Sequence, residues 1–157
     1  MSQWSSPRWA SPVGTMYTAP PSLRGTLEPL FRPRSVAVIG ATDRRGTVGR
    51  SLVRNLLESK FPLNVHPVNP GHAEVAGIKT EKRIRDIAGG VDLALVATPA
   101  PTVPRIIAEC VDAGVRSAVV ISAGFREQGA EGARLEEEIK KQLQRGRSEE
   151  RRVGKEC

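Results

Sequence analysis

Residues 34–57, RSVAVIGATDRRGTVGRSLVRNLL, decide the fold. Val36–Ile39 is a continuous apolar run of strand length, too short for a helix and followed at once by glycine. From residue 48 onward the pattern changes period, and Leu52, Val53, Leu56 and Leu57 fall on one helical face. A strand, a glycine-rich turn and a helix in this order build a phosphate cradle. The first N–H groups of a helix have no partners within it, and the helix dipole favours negative charge there. Gly40 is expected to turn the chain sharply as the strand ends, and Gly46 and Gly49 to let backbone approach a ligand.

The same alternation extends outward. Apolar runs recur at Leu93–Ala97 and Ala118–Ile121, with a weaker one at Val65–Val68. Between and after them lie helical patterns, one with Val103, Ile106, Ile107, Cys110 and Val111 on a face, another with Leu135, Ile139 and Leu143 every four residues. Thr102 is the expected N-cap of the former, Pro104 fits its first turn, and Gly114 its C-cap. Glu136–Lys140 and Glu137–Lys141 are expected i,i+4 pairs on the wet face of the last helix. Near-continuous apolar strands alternating with helices predict an α/β fold, a doubly wound parallel sheet with right-handed crossovers.

The chain of 157 residues suffices for one ordinary domain. Hydrophobic residues make up 39% of it and aromatics 4%, so the core must be aliphatic. The formal charge of +7 fits a nucleic acid, an anionic small ligand or merely an arginine-rich proteome. Basic and aromatic residues do not interleave and no recognition-helix pattern occurs, so no nucleic-acid partner is expected. No stretch has the length of a membrane span, no secretory signal is evident, and the two cysteines lie too far apart in sequence for a disulfide framework or metal site. These readings predict a cytoplasmic protein without membrane contact or bound metal.

Three segments are expected. Residues 1–26, rich in Ser, Pro, Arg and Gly and holding Trp4 and Trp9, read as a disordered extension; a start at Met16 is an alternative. Residues 27–146 form the domain. Residues 147–157, RSEERRVGKEC, change composition abruptly and look like the translation of a sequencing adapter, the other reading being a charged, solvated helix end.

The cradle departs from the nicotinamide pattern. Thr42 stands where G-x-G-x-x-G has its second glycine, and the run VHPVNP at 65–70 ends without the carboxylate that would hold ribose hydroxyls. Arg44, Arg45 and Arg50 suit a ligand with several phosphates, the competing reading being that they are simply exposed.

Four blocks in order, LEPLFRPRSVAVIGATDRRGTVGR at 27–50, VHPVNP at 65–70, DLALVATPAPTVP at 92–104 and AVVISAGFREQGAEG at 118–132, resemble the N-terminal, Rossmann-like CoA-binding domain of ADP-forming acetyl-CoA synthetases, itself similar to the α-subunit domain of succinyl-CoA ligase. The resemblance covers residues 27–144. It implies that Gly40, Ala41, Thr42, Asp43 and Arg44 wrap the CoA phosphates, with Gly46, Val48 and Gly49 opening the helix behind them. It places Val68, Asn69 and Pro70 at the adenine end, and adds two further loops, Thr98–Pro99–Ala100 and Ser122–Ala123–Gly124–Phe125. For the last two loops, ordinary strand-to-helix turn chemistry is the competing reading.

The resemblance also implies a reaction interconverting acid, CoA and ATP with acyl-CoA, ADP and phosphate through an acyl phosphate and a phosphohistidine relay. The relay histidine, ATP or ADP and Mg belong to other domains, an ATP-grasp domain or subunit among them, so these residues bind CoA or acyl-CoA and are not catalytic alone. His66 reads as strand packing, His72 as a turn residue and Cys110 as core. The family's sheet continues past the last helix, which implies a domain truncated at its C-terminal end with an unpaired sheet edge. The runner-up is the ligase-like regulatory domain of a fused lysine acetyltransferase of the GNAT type; a stand-alone CoA-binding protein is a third reading.

Overall fold

The computed structural model describes the backbone of residues 27–153 and the side chains of residues 27–146. The expectations for residues 1–26 and for the last residues of the tail lie outside them. The order of elements is α1 (Glu28–Phe31), β1 (Ser35–Ile39), α2 (Val48–Glu58), β2 (Asn64–Val68), β3 (Glu74–Val75), β4 (Ile78–Lys79), β5 (Leu93–Val96), α3 (Val103–Asp112), β6 (Ser117–Val120) and α4 (Ala130–Val153). Short 3-10 turns at Ile84–Asp86, Ala100–Thr102 and Arg126–Gln128 complete the path.

The main sheet is four-stranded and parallel throughout, in the order β2-β1-β5-β6. The chain moves from β1 outward to β2, then returns to the other side of β1, so the connection reverses between β1 and β5. In open α/β sheets that reversal opens a crevice at the carboxyl ends of the strands. Val36, Ala37 and Val38 are wholly buried, as a strand covered on both faces requires. Ala37, Ile39, Ala94 and Val96 pack with Val103, Ile106, Ile107 and Cys110 of α3 on one face. Val38 packs with Val53 of α2 and Val75 of β3 on the other, flanked by Leu52, Leu56 and Leu95. Leu57, expected on the buried face, is 42% exposed. The fold is thus the doubly wound Rossmann-like α/β sheet read from the sequence. Beyond β6 no further strand is paired among the described residues, and Ile121 at its end is exposed.

Several local expectations are corrected. Thr102 holds the N-cap position of α3 but does not cap it, because a 3-10 turn precedes the helix; its hydroxyl donates to the Pro99 carbonyl (2.7 Å) and its oxygen lies 2.9 Å from Thr98 Oγ1 instead. Gly114, with φ +69°, ends the helix as expected: its N–H reaches the Val111 carbonyl and the Val115 N–H the Cys110 carbonyl, a Schellman pattern. The last helix runs on to Val153, past residue 146, the expected end of the domain. Gly146 sits where α4 crosses α3, and a Cβ there would lie 2.8 Å from Val111 Cγ1. Glu137 pairs with Lys140 at i,i+3 (2.6 Å) and Glu136 with Arg126 (2.7 Å), so the two expected i,i+4 pairs are replaced.

Asp92 fastens the opposite, amino end of the sheet. Its carboxylate accepts the N–H groups of Arg34 (2.8 Å) and Ser35 (3.3 Å) and pairs with Arg116 (3.4 Å). The Arg34 N–H is the largest cause holding its carboxyl below the ordinary 3.8, with Ser35 and Arg116 adding to it against the opposing effect of burial. As pH falls the unfolded chain takes up this proton first, so the stabilisation is full above the ordinary value and is lost as pH drops through the folded one. Asp92→Asn is expected to cost about 1 kcal/mol at pH 7. In urea denaturation the gap from the unsubstituted chain should shrink at pH 3, and an equal gap at both pH values would contradict the assignment.

Candidate functional site

The first loop begins where β1 ends. Gly40 adopts φ +89°, and its N–H donates to the Val68 carbonyl (3.0 Å). A Cβ at Gly40 would lie 2.5 Å from the Ala97 carbonyl oxygen and 2.9 Å from Thr98 Cγ2. Only hydrogen fits there, so the loop after β1 can lie directly against the loop after β5. Gly49 has a different role from the ligand approach expected of it. A Cβ there would run into the Gly40 carbonyl oxygen, so Gly49 lets the first turn of α2 back onto the turn at Gly40. Gly46 has φ +76° and open space around it, and serves the turn alone.

The loop between them is braced by its own hydrogen bonds. Thr47 caps α2, its hydroxyl oxygen accepting the Arg50 N–H (3.4 Å) while donating to the Arg44 carbonyl (2.7 Å). Thr42 Oγ1 accepts the Arg44 N–H (3.2 Å) and lies 3.4 Å from His72 Nε2. The Asp43 carboxylate accepts the Ala76 N–H (3.1 Å) at the tip of the β3–β4 hairpin, where Ala76 has φ +52°. Asp43 therefore positions the loop with its side chain. Arg50, expected among the phosphate-facing arginines, donates to the Asp43 carbonyl (2.6 Å) and is a brace as well. The side chains of Arg44 and Arg45 are exposed and have no ion pair among the described residues, and Val48 is exposed on the first turn of α2.

Asn69 joins the second loop to the first. Its Nδ2 donates to the Ala41 carbonyl (2.8 Å) and its Oδ1 accepts the Gly71 N–H (2.8 Å). The third and fourth loops are also tied, since the Ser122 hydroxyl donates to the Thr98 carbonyl (2.6 Å). Past that bond the fourth loop turns away. The Glu127 carboxylate accepts the N–H groups of Gly124 and Phe125 (3.0 Å for Phe125). These groups and its own N–H, the Gly124 donor foremost, hold its carboxyl below the ordinary value. Phe125 packs toward the core and Ala123 is exposed.

A cleft of about 310 Å³ opens at the carboxyl ends of the strands. Gly40, Val68, Asn69, Pro70, Thr98 and Pro99, six of the residues singled out by sequence, line it. Ala41 and Ala100 are buried just behind it. Thr42, Asp43, Arg44, Gly46, Val48, Gly49 and the residues Ser122, Ala123, Gly124 and Phe125 do not line it. The cleft also takes in residues that sequence reasoning missed: Lys82, Arg83 and Ile84 from the segment before β5, Thr102 at the N-cap position of α3, and Arg105, Ile106 and Glu109 from α3. The α3 contributors face the cleft at helical spacing, a signal present in the sequence. Lys82 and Arg83 follow a hairpin too short to show a period.

Cys110 lies within the core, where burial pushes its thiol up to about 12, so it stays protonated and unreactive at neutral pH. Among the described residues no cluster of His, Cys, Asp and Glu could hold a metal ion, and no helix is long and apolar enough to cross a membrane.

The sequence profile of the family described as "CoA binding domain" matches residues 34–157. The chain is 42% identical over 113 residues to acetate–CoA ligase (ADP-forming) II of Archaeoglobus fulgidus, an alignment covering 72% of this chain and 17% of that protein. It is 39% identical over 118 residues to the alpha subunit of acetate–CoA ligase (ADP-forming) I of Pyrococcus furiosus, covering 73% of this chain and 26% of the subunit. Among solved structures it resembles the dinucleotide-forming acetyl-coenzyme A synthetase 1 of Ca. Korarchaeum cryptofilum in complex with phosphate and ADP, with a TM-score of 0.72 and 37% identity over 78% of this chain and 26% of that one. The chain thus spans 17% to 26% of the length of these relatives.

Proposed function

Because the chain belongs to the CoA-binding domain family, we propose that it holds CoA in the crevice at the carboxyl ends of its strands and serves as the CoA-binding part of an ADP-forming acid–CoA ligase. The observation that supports this most is the cleft itself, which gathers the ends of β1, β2 and β5 where the strand connection reverses. In this reading the diphosphate of CoA lies over the loop from Gly40 to Arg44, near the N–H groups at the start of α2. The adenine enters the apolar cleft beside Val68, Asn69 and Pro70. Thr98, Pro99 and Ala100 wall its far side, and Ser122, bonded to the Thr98 carbonyl, holds that wall in place. Gly124 and Phe125, whose N–H groups are taken by Glu127, support the fourth loop rather than offer donors.

The chain's own contribution is to bind and orient CoA or acyl-CoA. Acyl phosphate formation, the phosphoryl relay, and ATP and Mg binding are assigned to other ligase domains or to an ATP-grasp subunit. The relative named as an alpha subunit favours a partner chain. The relatives described above are ligases and a synthetase by name, so the fused acetyltransferase reading gains no support from them.

Calorimetric titration of CoA into the 157-residue chain tests the proposal. Saturable binding at one site is expected, and no heat from a folded sample would contradict it.

A further inference from the structure

We propose that Lys82 and Arg83 read the 3′-phosphate of CoA and so set a preference for CoA over dephospho-CoA; the inference rests on the CoA reading above. Both side chains line the cleft and are exposed, and neither has an ion pair or side-chain hydrogen bond among the described residues. Their backbone is fixed on both sides. Before them, the Glu81 N–H donates to the Pro67 carbonyl (2.9 Å) and the Asn69 N–H to the Glu81 carbonyl (2.9 Å), so Glu81 is stitched to the end of β2. After them, Ile84 is 4% exposed, and the Asp86 carboxylate takes the Arg83 N–H (3.1 Å), leaving the guanidinium free. Two cations thus line the cleft without an ion pair among the described residues, and the carboxylate that also lines it, Glu109, sits beside Arg105.

The rest of the cleft states which anion fits. Its floor is apolar, with Ile39, Val68, Ile84 and Ile106, and suits a flat ring. Across it, the Arg105 guanidinium reaches Glu109 only at 3.6 Å, an exposed pair that holds little. An aromatic base in the slot would bring its ribose to Lys82 and Arg83, while the diphosphate lies at the Gly40 turn. A phosphate monoester on that ribose carries most of two negative charges at neutral pH and offers three acceptor oxygens, which a guanidinium and an ammonium match. Arg44, the arginine that sequence reasoning would choose for this phosphate, stands in the first loop and does not line the cleft.

The test compares CoA with dephospho-CoA by calorimetry, using the full chain, the K82A/R83A double variant and R44A. The unsubstituted chain is expected to bind CoA roughly tenfold or more tightly than dephospho-CoA, a ratio appropriate to hydrogen bonds with charged groups. In K82A/R83A the two ligands should bind within about twofold of each other. Its affinity for dephospho-CoA should stay that of the unsubstituted chain, which also reports an intact slot. R44A should keep the preference. Equal binding of both ligands by the unsubstituted chain, a preference surviving in K82A/R83A, or one lost in R44A would overturn this inference and leave the CoA reading standing. Binding of neither ligand would overturn both.

Discussion

Gly49→Ala is expected to destabilise the fold by about 3 kcal/mol and lower Tm by roughly 10 °C or more, a large effect for one methyl group. The added Cβ would meet the Gly40 carbonyl oxygen, and both partners are backbone. Neither can swing away as a side chain would. Relief requires α2 to lift from the sheet, which loosens Val53 between α2 and β1, or the Gly40 turn to shift, which strains the bond from its N–H to the Val68 carbonyl. Gly46→Ala is the control. It has open space around it, and its φ of +76° alone should cost about 1 kcal/mol. Thermal or urea unfolding of both variants decides the matter, and equal costs would show that α2 does not rest on Gly40.

Gly40→Val is expected to produce the largest loss of CoA affinity, roughly a hundredfold, equivalent to about 3 kcal/mol. Valine is poorly suited to φ +89°, and its Cβ would press on Ala97 and Thr98 across a gap that admits only hydrogen. Relief moves both the first and the third loop, which are two rims of the cleft. Calorimetry on samples whose circular dichroism shows native secondary structure separates this from unfolding. Undiminished affinity in a folded variant would place the CoA phosphates elsewhere.

Much of this architecture was legible in the residues. The strand–glycine–helix order at 34–57 shows the switch from a continuous apolar run to a period of 3.6, and the apolar run at 93–97 matches a strand inside a covered sheet, whereas the run at 118–121 belongs to the edge strand β6 and leaves Ala118 and Ile121 exposed. Side-chain direction was less legible. Arg50 and Arg44 look alike in sequence, but one turn of helix points Arg50 back at the Asp43 carbonyl. Thr102 carries the residue type of a cap, and the 3-10 turn before it redirects its hydroxyl. Gly49 suggested approach to a ligand, while its neighbour is the protein's own backbone. The β3–β4 hairpin escaped notice because its strands have two residues each and its turn places alanine, not asparagine or glycine, at the first positive φ. With the hairpin hidden, nothing in the sequence indicated that Lys82 and Arg83 return to the end of β2.

The most direct test of the central claim is amide chemical-shift mapping during a CoA titration of the chain. The account predicts shifts at Gly40–Arg44, at Val68 and Asn69, at Lys82 and Arg83 and at Thr98. It predicts unmoved signals at Asp92, Arg116 and Ser117, at the opposite end of the sheet. Shifts confined to that opposite end, or no shifts at saturating CoA, would contradict it.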